Sequence, residues 1–347
     1  MRRVTQQKRD QLIGPLLRDV SRSFYLTLRV LPAALRPAIS LGYLLARASD
    51  TIADTKVVPR DKRHAHLVRF RQQFEHRCDA GDLAVIRSDL AQHQSLPAEK
   101  LLLEKLDDCF AMLASLPDDD RARIGELLSV ITRGQENDLV QFPGETEKDL
   151  AAFETDRQLD DYTYDVAGCV GKFWTGMCVA HLRALRNWNV AEMTALGIRF
   201  GKGLQMTNIL RDIPKDLRIA RCYLPRQRLA EAGLKPEDLL LPATMGRFRP
   251  VYDGFLDLTL GHFDAAWRYT LAIPRSCGRL RLACLWPIFI GLKTLALLRR
   301  SDDVLDPNKR IMVAQGDVNR MLVKSVVFCR SNKVLDAWFK KLRSEAA

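Results

Sequence analysis

The 347-residue chain lacks closely spaced cysteine pairs and an apolar region near its start. Its eight cysteines form no C-x-x-C pair and no other pair at metal-ligand spacing, and no apolar signal region follows the start MRRVTQQKRD. A disulfide scaffold, a cysteine-based metal site and a secretory signal peptide are therefore not predicted. We expect reduced thiols in a cytoplasmic protein without a transmembrane anchor.

Long apolar runs are also scarce, and only one approaches the length of a membrane span. Residues 282–298 read LACLWPIFIGLKTLALL, whereas crossing a bilayer takes roughly 20 apolar residues. Pro287 and Lys293 interrupt this run. We expect a buried core helix, or the wall of an apolar pocket.

Acidic residues are outnumbered by basic ones. The chain has 54 Lys plus Arg against 42 Asp plus Glu, a formal net charge of +12. This charge predicts attraction to a polyanion, which can be nucleic acid, an anionic membrane surface or a phosphorylated substrate. Nucleic acid is not favoured, because no basic stripe with interleaved aromatics and no known reader motif is evident.

Strand signals are nearly absent, and helical periodicity replaces them. Apolar residues recur at three- and four-residue steps in the ranges 101–113, 124–139, 159–182, 193–216 and 252–272. No stretch is long, polar and repetitive enough to be a domain linker. We expect an all-α protein with a single domain over residues 1–347.

One helical stretch, YLLARASDTIAD at 43–54, carries paired acids. Tyr43, Arg47, Asp50 and Asp54 are spaced by four, three and four residues, which places them on one helical face. Two aspartates one turn apart repel by about 0.2–0.5 kcal/mol. For one such pair, the simpler interpretation is a solvated acidic face on which Arg47 pairs with Asp50.

A second pair changes this interpretation. QMTNILRDIPKD at 205–216 spaces Asp212 and Asp216 by four residues, with Gln205 and Asn208 on a similar face. Two such pairs predict opposed carboxylate clusters across a cavity. Because no histidine or cysteine lies close to them, they suit magnesium, or manganese as the alternative, better than zinc. A diphosphate would lie between the clusters. The arginines available to clamp it are Arg22, Arg47, Arg211 and Arg221.

A family resemblance rests on five segments in a fixed order. They are SRSF at 21–24, YLLARASDTIAD at 43–54, YTYDVAGCVG at 162–171, QMTNILRDIPKD at 205–216 and RCYLP at 221–225. Together they resemble the squalene and phytoene synthase family of head-to-head prenyl transferases. The resemblance implies the α-helical isoprenoid synthase fold with a central cavity, and a catalytic core over about residues 15–330.

The resemblance also implies roles for individual residues. Asp50 and Asp54 would form the first magnesium motif and Asp212 and Asp216 the second, and all four would be catalytic. Tyr162 would lie near the reacting carbons, where its ring could stabilise a carbocation or its hydroxyl could move a proton. The residues implied to bind the prenyl diphosphates are Ser21, Arg22, Ser23, Tyr43, Arg47, Gln205, Asn208 and Arg221.

The role of Asp138 has two alternatives. GQENDL at 134–139 is similar to a G-x-x-x-D-L element of the family, so Asp138 either lies near the metal or caps a helix. Val166, Ala167, Gly168 and Gly171 are small enough for a prenyl chain to pass between helices.

The amino-acid sequences of the two aspartate motifs resemble those of squalene synthases more than those of phytoene synthases. It implies magnesium-dependent condensation of two farnesyl diphosphates to presqualene diphosphate, and then NADPH-dependent reduction to squalene, in isoprenoid and sterol or hopanoid lipid biosynthesis. The alternative is a non-reductive member that makes presqualene diphosphate, dehydrosqualene or phytoene.

A nicotinamide site does not follow from the residues alone. No G-x-G-x-x-G follows a strand. Where reductive relatives have a V-K-x-x-[KR]-G-like element, the basic residues are displaced to Lys309 and Arg310. The remaining positive charge predicts peripheral adhesion to the anionic inner face of a membrane.

Overall fold

The computed structural model describes residues 5–21, 24–76 and 78–347. Seventeen α-helices and one two-stranded parallel sheet make up the regular structure of these residues, apart from short 3-10 and π-helical turns. The all-α prediction is confirmed. The chain divides into two compact units, Met1–Leu139 with Phe173–Arg186, and Val140–Lys172 with Asn187–Ala347. A single domain stays a prediction.

Nine helices begin in the first unit. They are α1 (Gln6–Gln11), α2 (Leu17–Ser21), α3 (Tyr25–Val30), α4 (Arg36–Asp54), α5 (Arg60–Glu75), α6 (Ala80–Leu90), α7 (Pro97–Glu104), α8 (Leu106–Ala114) and α9 (Asp118–Gln141). The helical periodicity over 101–113 is divided between two helices. Lys105, with φ −101° and ψ 11°, separates α7 from α8, and Leu103 and Leu106 are buried on either side of it.

The second unit contains the longest helices. They are α10 (Asp156–Thr163), α11 (Cys169–His181, which ends in the first unit), α12 (Val190–Arg218), α13 (Arg226–Glu231), α14 (Met245–Ala272), α15 (Gly278–Arg300), α16 (Gln315–Phe328) and α17 (Asn332–Ala346). Strand β1 (Ala151–Ala152) pairs in parallel with β2 (Arg221–Cys222).

The buried face of α4 explains the placement of its polar residues. Leu41, Leu44, Ala48 and Ile52 are all fully buried at helical steps. Tyr43, Arg47 and Asp50 are partly exposed, and Asp54 is fully exposed. The predicted common helical face is thereby confirmed for the first motif.

Both aspartate motifs lie at the carboxyl ends of long helices. α4 ends at Asp54, and α12 ends two residues after Asp216. The helix macrodipole contributes about half a negative charge at this end. The last turn of α4 has no basic residue, so Asp50 and Asp54 add to the negative potential there and favour a bound cation. In α12, Lys215 and Arg218 of the last turn offset the charge of Asp212 and Asp216.

The apolar run 282–298 lies within α15. This helix is long and apolar enough to cross a membrane by length and composition, and 78% of its most apolar window is buried inside the protein. A Cβ at Gly291 would lie 2.3 Å from the Phe263 ring on α14, so the two helices pack closely. The interpretation as a buried core helix is confirmed.

The small residues around 166–171 allow close packing of backbone segments. Tyr164–Gly168 forms a π-helical turn between α10 and α11. A Cβ at Gly171 would lie 1.9 Å from the Gly197 carbonyl oxygen, and a Cβ at Gly201 2.1 Å from that of Ala167. The backbone of α12 therefore occupies the space beside Gly171. A prenyl chain therefore has no room between Gly171 and Gly197, and its passage beside Val166 and Ala167 stays a prediction.

One glycine on α14 is open to substitution. A Cβ at Gly254 would meet nothing within 4 Å. Gly254→Ala is expected to raise the free energy of unfolding by about 0.5–1 kcal/mol, since alanine loses less backbone entropy in a helix. Urea denaturation should show a higher midpoint at unchanged slope. Gly291→Ala is the contrasting variant and should lower the midpoint. A lower midpoint for Gly254→Ala would contradict the open site.

Candidate active site

The first aspartate motif is held by hydrogen bonds from another helix. Gln135 on α9 donates from Nε2 to Asp50 Oδ1 at 2.6 Å, and its Oε1 accepts from the Ser49 hydroxyl. Gln135 is itself buried, so its amide has a fixed orientation. This residue was not singled out from the sequence, although it lies within the GQENDL element.

The environment of Asp50 disfavours its negative charge. Burial raises the pKa of the Asp50 carboxyl to about 7; Arg47 opposes this rise, and the Asp54 charge adds to it. However, 44% of the Asp50 side-chain surface remains accessible to solvent. Water can therefore screen the carboxylate and support its ionised form. A cation at this position would stabilise the ionised form further.

Arg47 connects the motif to α7. Its Nη2 donates to Glu99 Oε1 at 2.5 Å, and its Nη1 lies 3.5 Å from Asp50 Oδ2. Its Nε is buried without a hydrogen-bond partner among the described residues. A buried guanidinium N–H without an acceptor is costly, so an anion reaching this donor would be bound favourably.

The other predicted residues of the first unit have different surroundings. Asp54 is exposed at the end of α4. The Tyr43 ring stacks on Phe24, with centroids 5.9 Å apart. Ser21 is buried, and its hydroxyl donates to the Leu17 carbonyl at 2.5 Å. Arg22 and Ser23 lie outside the described residues.

The second aspartate motif contains a two-point ion pair. Arg211 donates from Nε and Nη2 to the two carboxylate oxygens of Asp212, at 2.9 and 2.6 Å. Asn208 Nδ2 lies 3.5 Å from Gln205 Oε1. Each motif thus combines two aspartates with an arginine on the same helix. A diphosphate and metal could compete for both partners of these pairs.

Arg221 and Asp216 share a small cavity. Both line a space of about 10 Å³ together with Tyr223 and residues of α12. Arg221 Nη1 lies 3.4 Å from the Tyr223 hydroxyl. The strand β2, paired with β1, holds Arg221 in this position.

Tyr162 belongs to an aromatic cluster. Its ring stacks on Tyr223, with centroids 4.7 Å apart and planes 19° apart, and contacts Phe153 at 5.6 Å. Phe142 packs against Tyr223 at 5.1 Å. Through Tyr223, this cluster connects to Arg221, so the structure brings two predicted site residues together. Tyr223, within the RCYLP segment, was not named from the sequence as a site residue.

The donor set fits magnesium. No group of three or more His, Cys, Asp or Glu residues gathers at one point within the described ranges. Magnesium is usually held by one or two carboxylates, several waters and substrate phosphate oxygens. Asp50 with Asp54, and Asp212 with Asp216, each offer that number of carboxylates at the negative end of a helix. Manganese fits the same oxygen ligands. Opposition of the two pairs across a cavity stays a prediction.

Two further predictions stay partly open. Asp138 is buried within α9, three residues before its end at Gln141. It therefore does not cap the start of a helix, and its nearness to a metal stays a prediction. Lys309 pairs with Asp303 at 2.7 Å, and Arg310 is exposed. A role of this segment in binding a cofactor phosphate stays a prediction.

The helical architecture and the two acidic helix ends define an all-α protein of the squalene synthase fold. A solved structure, TcSQS in complex with the ligand E5700, covers 99% of this chain and 98% of its own, with a TM-score of 0.75 at 19% identity. At this identity the likeness shows the fold alone. A family model described as squalene/phytoene synthase matches residues 17–316. The chain belongs to the squalene/phytoene synthase family, whose members are prenyltransferases.

Relatives within the family carry different names. A squalene synthase of Gibberella zeae is 26% identical over 303 residues, covering 87% of this chain and 61% of the relative. A presqualene diphosphate synthase of Sinorhizobium fredii is 31% identical over 218 residues, covering 62% of each. The chain thus spans about three-fifths of the length of these relatives.

Proposed function

We propose that this protein condenses two farnesyl diphosphates head to head to presqualene diphosphate, and converts this intermediate to squalene when NADPH is supplied. The observation that carries the proposal is the recurrence of one arrangement, two aspartates and an arginine at the carboxyl end of a long helix, on both α4 and α12. The squalene synthase and presqualene diphosphate synthase relatives support it.

The first role of the site is to hold and stabilise the diphosphates. Negative charge develops on the diphosphate when the allylic C–O bond breaks, and groups aimed at that charge lower the barrier. Magnesium on the aspartates would supply Lewis-acid stabilisation there. Arg47 offers a buried N–H donor, and Arg221 offers a second cation beside Asp216. Both suit a phosphate oxygen.

The second role is to protect the carbocation that remains. Its positive charge needs an environment without water, which would otherwise capture it. The stacked rings of Tyr162 and Tyr223 present π faces that stabilise a cation. The Tyr223 hydroxyl lies 3.4 Å from Arg221, so a ring that can stabilise a cation lies beside a cation that can bind the leaving diphosphate. The Tyr162 hydroxyl could move a proton in the same place.

A non-reductive reaction is the second candidate. The presqualene diphosphate synthase relative has the higher identity, 31% against 26%, over a shorter part of the chain. The pairing of Lys309 with Asp303 also leaves less positive charge for a nicotinamide phosphate. The product would then be presqualene diphosphate, dehydrosqualene or, from a longer donor, phytoene.

Product analysis separates the two candidates. Purified protein with magnesium and farnesyl diphosphate is expected to give squalene in the presence of NADPH, and presqualene diphosphate or dehydrosqualene in its absence. Gas chromatography of phosphatase-treated extracts measures all three. Identical products in both arms would overturn the reductive step but leave the condensation intact. A reaction that survives removal of divalent metals by a chelator would overturn the metal roles.

The same proposal covers the location and partners of the protein. Farnesyl diphosphate is the proposed substrate, and no nucleic acid takes part. We place the protein in the cytoplasm, at the inner face of a membrane.

A further inference from the structure

The outward face of α16 presents apolar side chains to solvent. Val323, Val326 and Val327 are 68%, 54% and 69% exposed. On an ideal helix they fall within an arc of about 100°. Isolated exposed apolar residues are ordinary, but three neighbours on one helix face form a patch.

The orientation of this face is fixed by the packing behind it. Met321 and Ser325 are the buried residues of α16. The Ser325 hydroxyl accepts a hydrogen bond from Trp286 Nε1 on α15 at 2.7 Å. Asp317 on α16 pairs with Lys293 on α15 at 2.8 Å. Rotation of α16 to bury the valines would break the Ser325 hydrogen bond and the Asp317 ion pair, because both are made with α15.

Positive charge surrounds the patch. From 318 to 335 the chain has four basic residues, Arg320, Lys324, Arg330 and Lys333, and no acidic residue. All four are exposed, and Arg320 also pairs with Asp317 on the same helix. Lys324 directly follows Val323 on the helix, and its ammonium lies 4.4 Å from the centre of the Trp338 ring on α17.

An apolar face flanked by cations matches an anionic lipid surface. Valines enter the boundary between head groups and acyl chains, while lysine and arginine approach lipid phosphates. A second copy of the chain is less suitable. A two-fold contact through this face would bring the same cations of both copies together, and like charges repel.

We propose that the outward face of α16 docks on the surface of an anionic lipid bilayer through Val323, Val326 and Val327, with Lys324, Arg330 and Lys333 contacting lipid phosphates. This docking rests on the membrane location proposed above but not on the catalytic activity, so its failure would leave the proposed condensation intact.

Vesicle sedimentation tests the proposal. The whole protein is expected to sediment with phosphatidylglycerol vesicles and to stay in solution with phosphatidylcholine vesicles. The double variant Val323→Asn with Val327→Asn should partition onto phosphatidylglycerol vesicles at least about tenfold more weakly, because the apolar contact is lost. The double variant Lys324→Gln with Arg330→Gln should show a similar loss. Added salt should weaken the binding of the wild-type protein. Val190→Asn with Leu241→Asn, two other exposed apolar positions, is the matched control and should bind as wild type.

Several results would overturn the proposal. Equal binding to phosphatidylglycerol and phosphatidylcholine vesicles would contradict the role of the basic residues. Equal binding by the valine variant and the control variant would contradict docking through the valines. Analytical ultracentrifugation adds a third outcome. A wild-type dimer that the valine substitutions dissociate, with unchanged vesicle binding, would assign the face to a second copy instead. Circular dichroism of each variant keeps misfolding from imitating a loss of binding.

Discussion

Asp50→Asn and Asp212→Asn are each expected to lower the turnover of farnesyl diphosphate by at least about 100-fold while the protein stays folded. A metal that neutralises developing charge contributes several kcal/mol to the transition state, and each 1.36 kcal/mol corresponds to about tenfold in rate. Asparagine retains the shape of the side chain but removes the charge that binds the metal. The loss should therefore appear in kcat.

Folding should be little affected in both variants. Asp50 carries a carboxyl whose ionisation burial disfavours, so a neutral amide removes an unfavourable charge. Asp212 pairs with Arg211, but both side chains are about one-third exposed, and such pairs contribute little to stability. Circular dichroism and thermal unfolding check this point.

The control variant is Asp119→Asn, an exposed aspartate in the first turn of α9. It should keep wild-type turnover. Near-normal turnover in Asp50→Asn or Asp212→Asn would contradict the metal roles proposed for these residues. A 100-fold loss accompanied by loss of helical signal would instead assign them to the fold.

Gly171→Ala is expected to lower the free energy of unfolding by about 3 kcal/mol or more. Its Cβ would lie 1.9 Å from the Gly197 carbonyl oxygen, and this neighbour is backbone rather than a flexible side chain. Relief requires α12 to move away from the first turn of α11. Overpacking of a core commonly costs about 1–3 kcal/mol, and contact with rigid backbone should reach the upper end of that range or exceed it.

Gly176→Ala is a matched control on the same helix. Its Cβ would meet only the Arg123 side chain, at 3.8 Å, which is ordinary van der Waals contact. Urea denaturation should show an unchanged or higher midpoint for Gly176→Ala and a much lower one for Gly171→Ala. Similar midpoints for the two variants would contradict the close backbone contact.

The helices and the aspartate spacing could be predicted from the sequence because they are local properties. A helix repeats every 3.6 residues, so steps of three and four along 43–54 and 205–216 define a face without knowledge of any neighbour. The apolar residues between these positions then identify the opposite face as core. The family followed from the order of five segments for the same reason, since order is visible in the chain.

The partners of these residues could not be predicted because they come from distant parts of the chain. Gln135 donates to Asp50 across 85 residues, and Tyr223 stacks on Tyr162 from beyond α12. No spacing rule connects such positions. The small size of Gly171 was visible in the sequence, but the sequence did not reveal that backbone fills the space beside it.

The valines of α16 illustrate the same division. Their spacing of three and four residues is what a core-facing helix would show, so the sequence alone does not distinguish a buried stripe from an exposed one. Packing of Met321 and Ser325 against the rest of the unit turns the valines outward. Amino-acid order thus determines the helices, their polar and apolar faces and the family. Which face is covered, and which distant residues complete each site, depends on the tertiary packing, because burial is a property of neighbours and not of the residue itself.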